Sequence, residues 1–235
     1  MTSLAHQDTR QLGGPLSILT RQKRDHERLD RLLQQLDRSA PGIEEQATLQ
    51  AIARLVFPHA FAEEAVLWPA ARRVLPDGEA LTLQVEQEHQ EINELWARLE
   101  DLPSGTAERR EVLEKIATVL REDVRDEEDE LLPRLQDALG VRRLRLLGVA
   151  WEAVRRTAPT RPHPVVARRP PGNALSAVPL SVLDRSRDAL DASGRRLPHL
   201  HARTSRASHR LASVAGRIEH AGPLRRGEDP STHRD

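Results

Sequence analysis

The sequence of 235 residues contains no cysteine and no tyrosine, and only three tryptophans and two phenylalanines. The absence of cysteine excludes disulfides and thiolate metal sites, and it permits a reducing cytoplasm. The absence of tyrosine excludes tyrosyl-radical chemistry. Because bulky aromatic residues are so scarce, the core must be built from leucine, valine, isoleucine and alanine. Such a composition favours a helical bundle over a β-sandwich.

Two kinds of apolar segment are also missing. The chain has no run of about 18 apolar residues, so we expect no transmembrane helix. Its beginning, MTSLAHQDTRQLGG, lacks the apolar centre of a signal peptide, and we predict a cytoplasmic protein. Nucleophile triads, phosphate-binding glycine loops and dinucleotide fingerprints are absent as well. Hydrolase, kinase and dehydrogenase functions therefore have no support.

Charge is balanced overall but unevenly distributed. From Pro159 to the end there are 14 arginines, no lysine and 7 acidic residues, so this part carries +7 and the first 158 residues carry −7. An acidic front does not suit nucleic acid, which is not an expected partner. The basic rear is typical of a solvated tail, with attraction of anions as the alternative. The sequence identifies no protein partner.

Apolar residues recur at helical spacing in four long segments, which predicts an all-α protein. Because the loops between the segments are short, we expect an up-down-up-down four-helix bundle over residues 14–140. Pro58 lies inside the second segment and should kink that helix or restart it just before His59. The four predicted helices cover residues 15–36, 44–75, 79–101 and 107–140.

The remainder is predicted to form a Pro/Arg-rich C-terminal extension. Residues 141–193 should pack on the bundle, with a short helix in VRRLRLLGVAWEAVRR, extended chain in APTRPHPVVARRPPG and a last helix in PLSVLDRSRDALDA. Residues 194–235 show little periodicity and are rich in arginine, histidine and serine, so we expect disorder there.

Every predicted bundle helix places ionisable residues within its apolar stripe. Burying such groups is costly unless they pair or bind metal, and residues at i and i+4 project from the same helical face. Two metal ions bridged by carboxylates would satisfy three imidazoles and three carboxylates together. These donors suit iron, manganese or zinc rather than copper(I). The predicted ligands are His26, His59, Glu63, His89, Asp123 and Glu127.

The same motif occurs twice in the chain. HAFAEEAVLWP begins at His59 and DVRDEEDELLP begins 64 residues later at Asp123, while DHERLDRLL in the first helix matches EHQEINELW in the third. The repeat predicts a pseudo-twofold pair of helical hairpins around the metal ions. Each histidine alone is more typical of a hydrogen-bonded core residue, but four features in register favour metal binding. Glu64 and Glu128 would either accept hydrogen bonds from ligand histidines or face solvent.

DHERL, HAFAEEAVLWP, EHQEI and DEEDELLP resemble the hemerythrin-like proteins with an HHE cation-binding domain, and the resemblance covers about residues 14–140. The segment PTRPHPVVARRPPGNALSAVPLSVLDR is similar to the rear part of actinobacterial members. This resemblance implies a four-helix bundle with a non-haem di-iron centre. It also implies that Glu63 and Glu127 bridge the irons and that His26, His59 and His89 are ligands.

One position departs from the family pattern, because Asp123 stands where the fourth helix would begin its motif with histidine. Asp123 is predicted to bind metal directly or through water, with a solvent-facing side chain and an incomplete site as the alternative. As a ligand, a third carboxylate would stabilise ferric over ferrous iron. It would also favour oxygen or peroxide reduction, or iron handling, over reversible oxygen transport, and it would make manganese a better fit.

Three functions remain open at this stage. The first is a non-haem di-iron protein that binds or reduces oxygen, hydrogen peroxide or nitric oxide in oxidative or nitrosative stress, with catalase-like activity one form of it. The second is an iron or oxygen sensor that acts through the C-terminal extension. The third is a bundle stapled by a structural metal such as zinc.

Overall fold

The computed structural model describes residues 2–232, which form helices and connecting loops without any strand in that range. Short 3₁₀ turns occur at Leu4–His6, Pro198–Leu200 and Gly222–Arg225. The helices are α1 Ile18–Leu36, α2 Ile43–Ala62, α3 Trp68–Val74, α4 Gly78–Asp101, α5 Ala107–Asp126, α6 Leu132–Ala138, α7 Val141–Thr157, α8 Gly172–Arg196 and α9 His201–Glu219. The chain is therefore all-helical, as its composition predicts.

The long helices α1, α2, α4 and α5 bury their apolar stripes in two separate clusters. One cluster surrounds Trp68 and includes Leu19 and Leu131, and the other contains Ile92 and Ile116. Packing joins α1 to α2 and α4 to α5. Along each long helix the predicted metal ligands fall between residues of one cluster and residues of the other. A polar layer is thus enclosed by apolar packing on both sides.

The long second and fourth segments each contain a π-helical turn. The turns are Glu63–Leu67 and Glu127–Leu131, and in each the backbone N–H after the turn donates to the carbonyl of its first residue, five positions earlier. A proline follows each turn, Pro69 and Pro133. Proline lacks an N–H and crowds the preceding turn, so a widened turn just before it relieves the conflict. α2 continues through Pro58, so the departure from α geometry comes later than predicted.

Helix α7 attaches the extension to α1 and α2. Its Trp151 is fully buried in the cluster around Trp68. Gly148 allows the close approach, because a Cβ there would lie 2.1 Å from the carbonyl oxygen of Leu16. A larger residue at this position would push α7 away from the start of α1.

Residues 158–171 form no regular secondary structure, and His163 links this segment to helices α8 and α9. Its Nε2 lies 3.1 Å from Asp184 on α8 and its Nδ1 lies 3.3 Å from Glu219 on α9. Burial opposes protonation, but these two carboxylates raise the pKa of His163 to about 9. The protonated imidazole can then donate to both acids.

Helix α9 differs from the disordered tail predicted from residue 194. It packs along α8, where Ala215 and Ile218 contact the cluster around Leu180 and Val166. The weak apolar pattern of this segment gave no signal by itself, because the burial comes from its neighbour. Residues 233–235 of the predicted tail lie outside the described residues. None of the helices described carries an apolar stretch suited to crossing a bilayer.

Candidate metal centre

Five of the six predicted ligands fall in two candidate donor groups in the polar layer, and the sixth, Asp123, lies beside His89 but in neither group. His26 lies on α1, His59 near the end of α2, His89 on α4 and Asp123 near the end of α5, while Glu63 and Glu127 each open a π-helical turn. All are buried except His59, whose side chain is 12% exposed. The two widened turns therefore present their first carboxylates to the same interior space, as functional π-helical turns commonly do.

Two groups of donors in this layer could each hold a metal ion, and within each group the donor atoms lie no more than 4.8 Å apart. Glu127 belongs to both groups. The Glu63 carboxylate also spans the layer, since its oxygens lie 3.0 Å from Nε2 of His59 and 3.7 Å from Nε2 of His89. The groups are His26, His59 and Glu127 on one side and Glu63, His89 and Glu127 on the other.

Asp123 belongs to the second side of the layer. Its Oδ1 lies 3.5 Å from Nε2 of His89, the nitrogen that faces Glu63. The side chain is 11% exposed, so it faces the interior rather than solvent. The solvent-facing alternative is therefore wrong for this carboxylate, and what it binds stays a prediction.

The carboxylate oxygens of this layer lack hydrogen-bond donors. Both oxygens of Glu63, both of Glu127 and Oδ1 of Asp123 are buried without a hydrogen-bond partner in the described chain. Unsatisfied buried carboxylates are costly. Nε2 of His26 lies 3.2 Å from Glu127 and Nε2 of His59 lies 3.0 Å from Glu63, so nitrogen and oxygen donors face one another as ligands around a common cation would. The residues present therefore fit a bound cation.

Two further glutamates orient the histidines from outside the layer. Nδ1 of His26 lies 2.8 Å from Glu128, and Nδ1 of His89 lies 3.0 Å from Glu64. A hydrogen bond at Nδ1 leaves Nε2 free to face inward, which is the usual support for a metal-ligating histidine. Of the two alternatives for Glu64 and Glu128, the hydrogen-bonding one is confirmed.

Asp25 and two residues of α7 were not predicted from the sequence. Oδ2 of Asp25 lies 3.6 Å from Nδ1 of His59 and 3.5 Å from Arg155. Trp151 contacts the edge of the His59 ring at a centroid distance of 5.3 Å. The acid directly before each histidine in DHERL and EHQEI was the available signal for Asp25. Nothing in the sequence placed α7 against His59, because that contact depends on tertiary packing.

The electrostatics of the layer favour positive charge. Burial lowers the pKa of its histidines, but the surrounding carboxylates outweigh burial and raise each value to about 10. This holds for His26, His59 and His89. Burial and the charge of Glu127 raise the pKa of Asp123 well above its usual range. Protons therefore compete with metal for these donors, and binding metal would release them.

A cavity of about 20 Å³ lies beside the layer. A space of about 10–15 Å³ is enough for one water, so the cavity has room for about one water molecule. His26, His59, His89 and Asp123 line its polar side. Its apolar wall is formed by Leu29, Leu55, Val56, Leu120 and Val124.

Comparison with protein-family models identifies the region that contains these residues. A family model, the hemerythrin HHE cation-binding domain, matches residues 17–135, about half of the chain, and all six predicted ligand positions lie within that range. Searches of curated proteins and of solved structures give no match. The match covers both copies of the repeated motif and stops before the extension. The chain belongs to the family of hemerythrin HHE cation-binding domains.

Proposed function

We propose that this protein is a non-haem di-iron protein that binds or reduces oxygen, hydrogen peroxide or nitric oxide. In this proposal α1, α2, α4 and α5 form an up-down-up-down bundle around two irons. His26 and His59 would hold one iron, His89 and Asp123 would hold the other, and Glu63 and Glu127 would serve both. The observation that carries the proposal is the sharing of Glu127 by two donor groups whose carboxylate oxygens have no hydrogen-bond donor.

When bound, iron would supply electrons and a coordination position for a small ligand. The chain supplies the surroundings. Glu64 and Glu128 fix the rings of His89 and His26, so that Nε2 faces inward. The apolar wall of the small cavity limits water, and Asp123 lies at its polar edge.

Asp123 supports reduction rather than reversible oxygen transport. A third carboxylate ligand adds negative charge, which stabilises ferric over ferrous iron. A carrier needs a readily accessible ferrous pair, whereas a reductase uses iron that is easily oxidised. We therefore place the protein in the cytoplasmic response to oxidative or nitrosative stress, with peroxide or oxygen as the favoured substrates.

Anaerobic titration with ferrous iron, followed by exposure to oxygen and then to peroxide, tests this function. The proposal predicts about two irons per chain, a near-ultraviolet absorption band after oxidation and consumption of at least one oxidant. Glu130 lies on the π-helical turn that Glu127 begins, but its side chain is 62% exposed. Glu130→Ala is therefore the control, and it should retain the iron content, the absorption band and the consumption of oxidant. Binding of zinc without any redox reaction would support a structural staple instead.

A sensor that acts through the extension is a second candidate, because the extension contacts residues around the site. Arg155 of α7 lies 3.5 Å from Asp25, and Arg168 lies 3.9 Å from Glu64. Arg168 also donates to Gln90, one residue after His89. Hydrogen exchange of residues 158–171 tests this function. Protection that changes with iron loading would favour the sensor, whereas unchanged protection would count against it.

A further inference from the structure

The two sides of the polar layer offer different donor atoms. Both share the carboxylates of Glu63 and Glu127. The histidine position adds His26 and His59, and so has two imidazole nitrogens. The carboxylate position adds His89, whose Nε2 lies 3.5 Å from Oδ1 of Asp123, and so offers one imidazole nitrogen and, with Asp123 as the proposed further ligand, an extra carboxylate. The inequality arises from one residue, because Asp123 stands at the place in the repeat that His59 occupies in the first copy.

The residues behind the ligands increase this difference. Asp25, directly before His26, faces Nδ1 of His59 and is paired with Arg155 at 3.5 Å. Glu88 takes the corresponding place before His89. Position 123 offers it no imidazole N–H, and its Oε2 is buried without a hydrogen-bond partner in the described residues. Of these two outer acids, only Asp25, behind the histidine position, is paired with an arginine among the described residues.

Donor type governs which divalent metal a site accepts. Carboxylate oxygen suits manganese, whereas imidazole suits iron and zinc, and iron binds more tightly than manganese at a given site. An oxygen-rich site reduces the difference between its affinities for iron and for manganese, because it has one nitrogen ligand fewer. We infer that the two positions discriminate between metals, and that the carboxylate position takes up manganese in preference to the histidine position. This inference rests on the proposed two-metal site.

The test is site-resolved metal identification in the full-length protein. Crystals of protein loaded anaerobically with ferrous iron and an excess of manganese(II) are measured at the manganese and iron absorption edges. We expect the manganese-to-iron ratio to be several-fold higher between His89 and Asp123 than between His26 and His59. Equal ratios at both positions, or manganese enrichment at the histidine position, would overturn the inference.

Exchanging the distinguishing residue gives the matched variants. Asp123→His should reduce the manganese ratio at its position to that of the histidine position. His59→Asp should raise the ratio at the histidine position. If Asp123→His does not fold, Asp123→Asn removes the same charge at nearly constant size and should also lower the manganese ratio. A ratio unchanged in the folded variants would show that donor type does not set the preference.

A failure of the two-metal site itself gives a different result. Wild-type protein that binds neither metal in this layer would contradict the proposed function. Two iron ions with no manganese at either position, even in excess, would leave the two-metal site intact and refute only the discrimination. Metal analysis of the same solution, before crystallisation, separates these outcomes by total metal per chain.

Discussion

The two copies of the helical hairpin make the same scaffold and a different site. His26 matches His89, Glu63 matches Glu127, and both glutamates begin a π-helical turn. Both outer hydrogen bonds recur as well, from His26 to Glu128 and from His89 to Glu64. The copies differ at one ligand position, which is His59 in the first copy and Asp123 in the second. The repeat therefore fixes where the donors meet, whereas a single residue makes the charges of the two halves differ.

The extension also treats the two halves differently. α7 brings Trp151 and Arg155 to the half that contains His59. The irregular segment brings Arg168 towards Glu64, the partner of His89. The extension therefore contacts both metal positions, but among the described residues its aromatic contact is with His59 alone. The extension therefore adds to the asymmetry that Asp123 begins.

The largest expected effect comes from a residue that both halves share. Glu127→Gln should remove most bound metal from both positions, because Glu127 belongs to both donor groups and an amide is a weaker ligand than a carboxylate. Asp123→Asn should weaken the second position only. Metal analysis after anaerobic loading measures both variants. Full loading of Glu127→Gln would show that the halves do not share this ligand.

Substituting the outer glutamates, Glu64 and Glu128, should distinguish the two metal positions. Glu128→Gln should weaken metal binding at the His26 side, and Glu64→Gln should weaken it at the His89 side, each by about 10–100-fold. The reason is that each loses the charged acceptor at Nδ1 of its histidine. Competition with a chelator measures both affinities. If both variants lost metal from the same side, the pairing of glutamate and histidine described here would be wrong.

Gly148→Ala tests how closely α7 packs against the start of α1. The added Cβ would lie 2.1 Å from the carbonyl oxygen of Leu16, and overpacking of this kind costs about 1–3 kcal/mol. We expect that loss in the free energy of unfolding, measured by denaturant titration. Gly216→Ala on α9 is the control, since its Cβ meets only the flexible Glu219 at 3.6 Å and should not destabilise. Equal stability of the two variants would contradict the close packing.

The pH dependence should separate metal-free from metal-loaded protein. The pKa of each layer histidine is raised from 6.5 to about 10. Their protonation therefore stabilises the metal-free fold below about pH 6.5, and this contribution is lost as the pH rises through 10. Bound metal replaces those protons. Thermal unfolding from pH 6 to 10 should show a falling Tm with chelator and a flatter curve with metal; parallel curves would be the contrary result.

A smaller effect is expected when both metal positions carry the same types of ligand. Asp123→His should raise the reduction potential of the iron-loaded protein, because it removes one negative ligand. Redox titration followed by absorbance measures the potential. A variant potential equal to or below that of the wild type would exclude Asp123 as the source of the difference.

The predictability of the fold varied between the core helices and the extension. The apolar stripes of α1, α2, α4 and α5 and the polar residues within them could be predicted, because helical periodicity and a 64-residue repeat are local signals. The contact of Trp151 with His59 and the order of α9 were not. Both depend on which surfaces pack together, and a chain segment with a weak apolar pattern gives no sign of its neighbour.

In the proposed site, six side chains hold two cations between the halves of the repeat. The direct measurement is a crystal structure of protein loaded anaerobically with ferrous iron. We predict two anomalous peaks, one beside His26 and His59 and one beside His89 and Asp123, with Glu63 and Glu127 between them. An iron-free layer with these side chains turned apart would contradict the account.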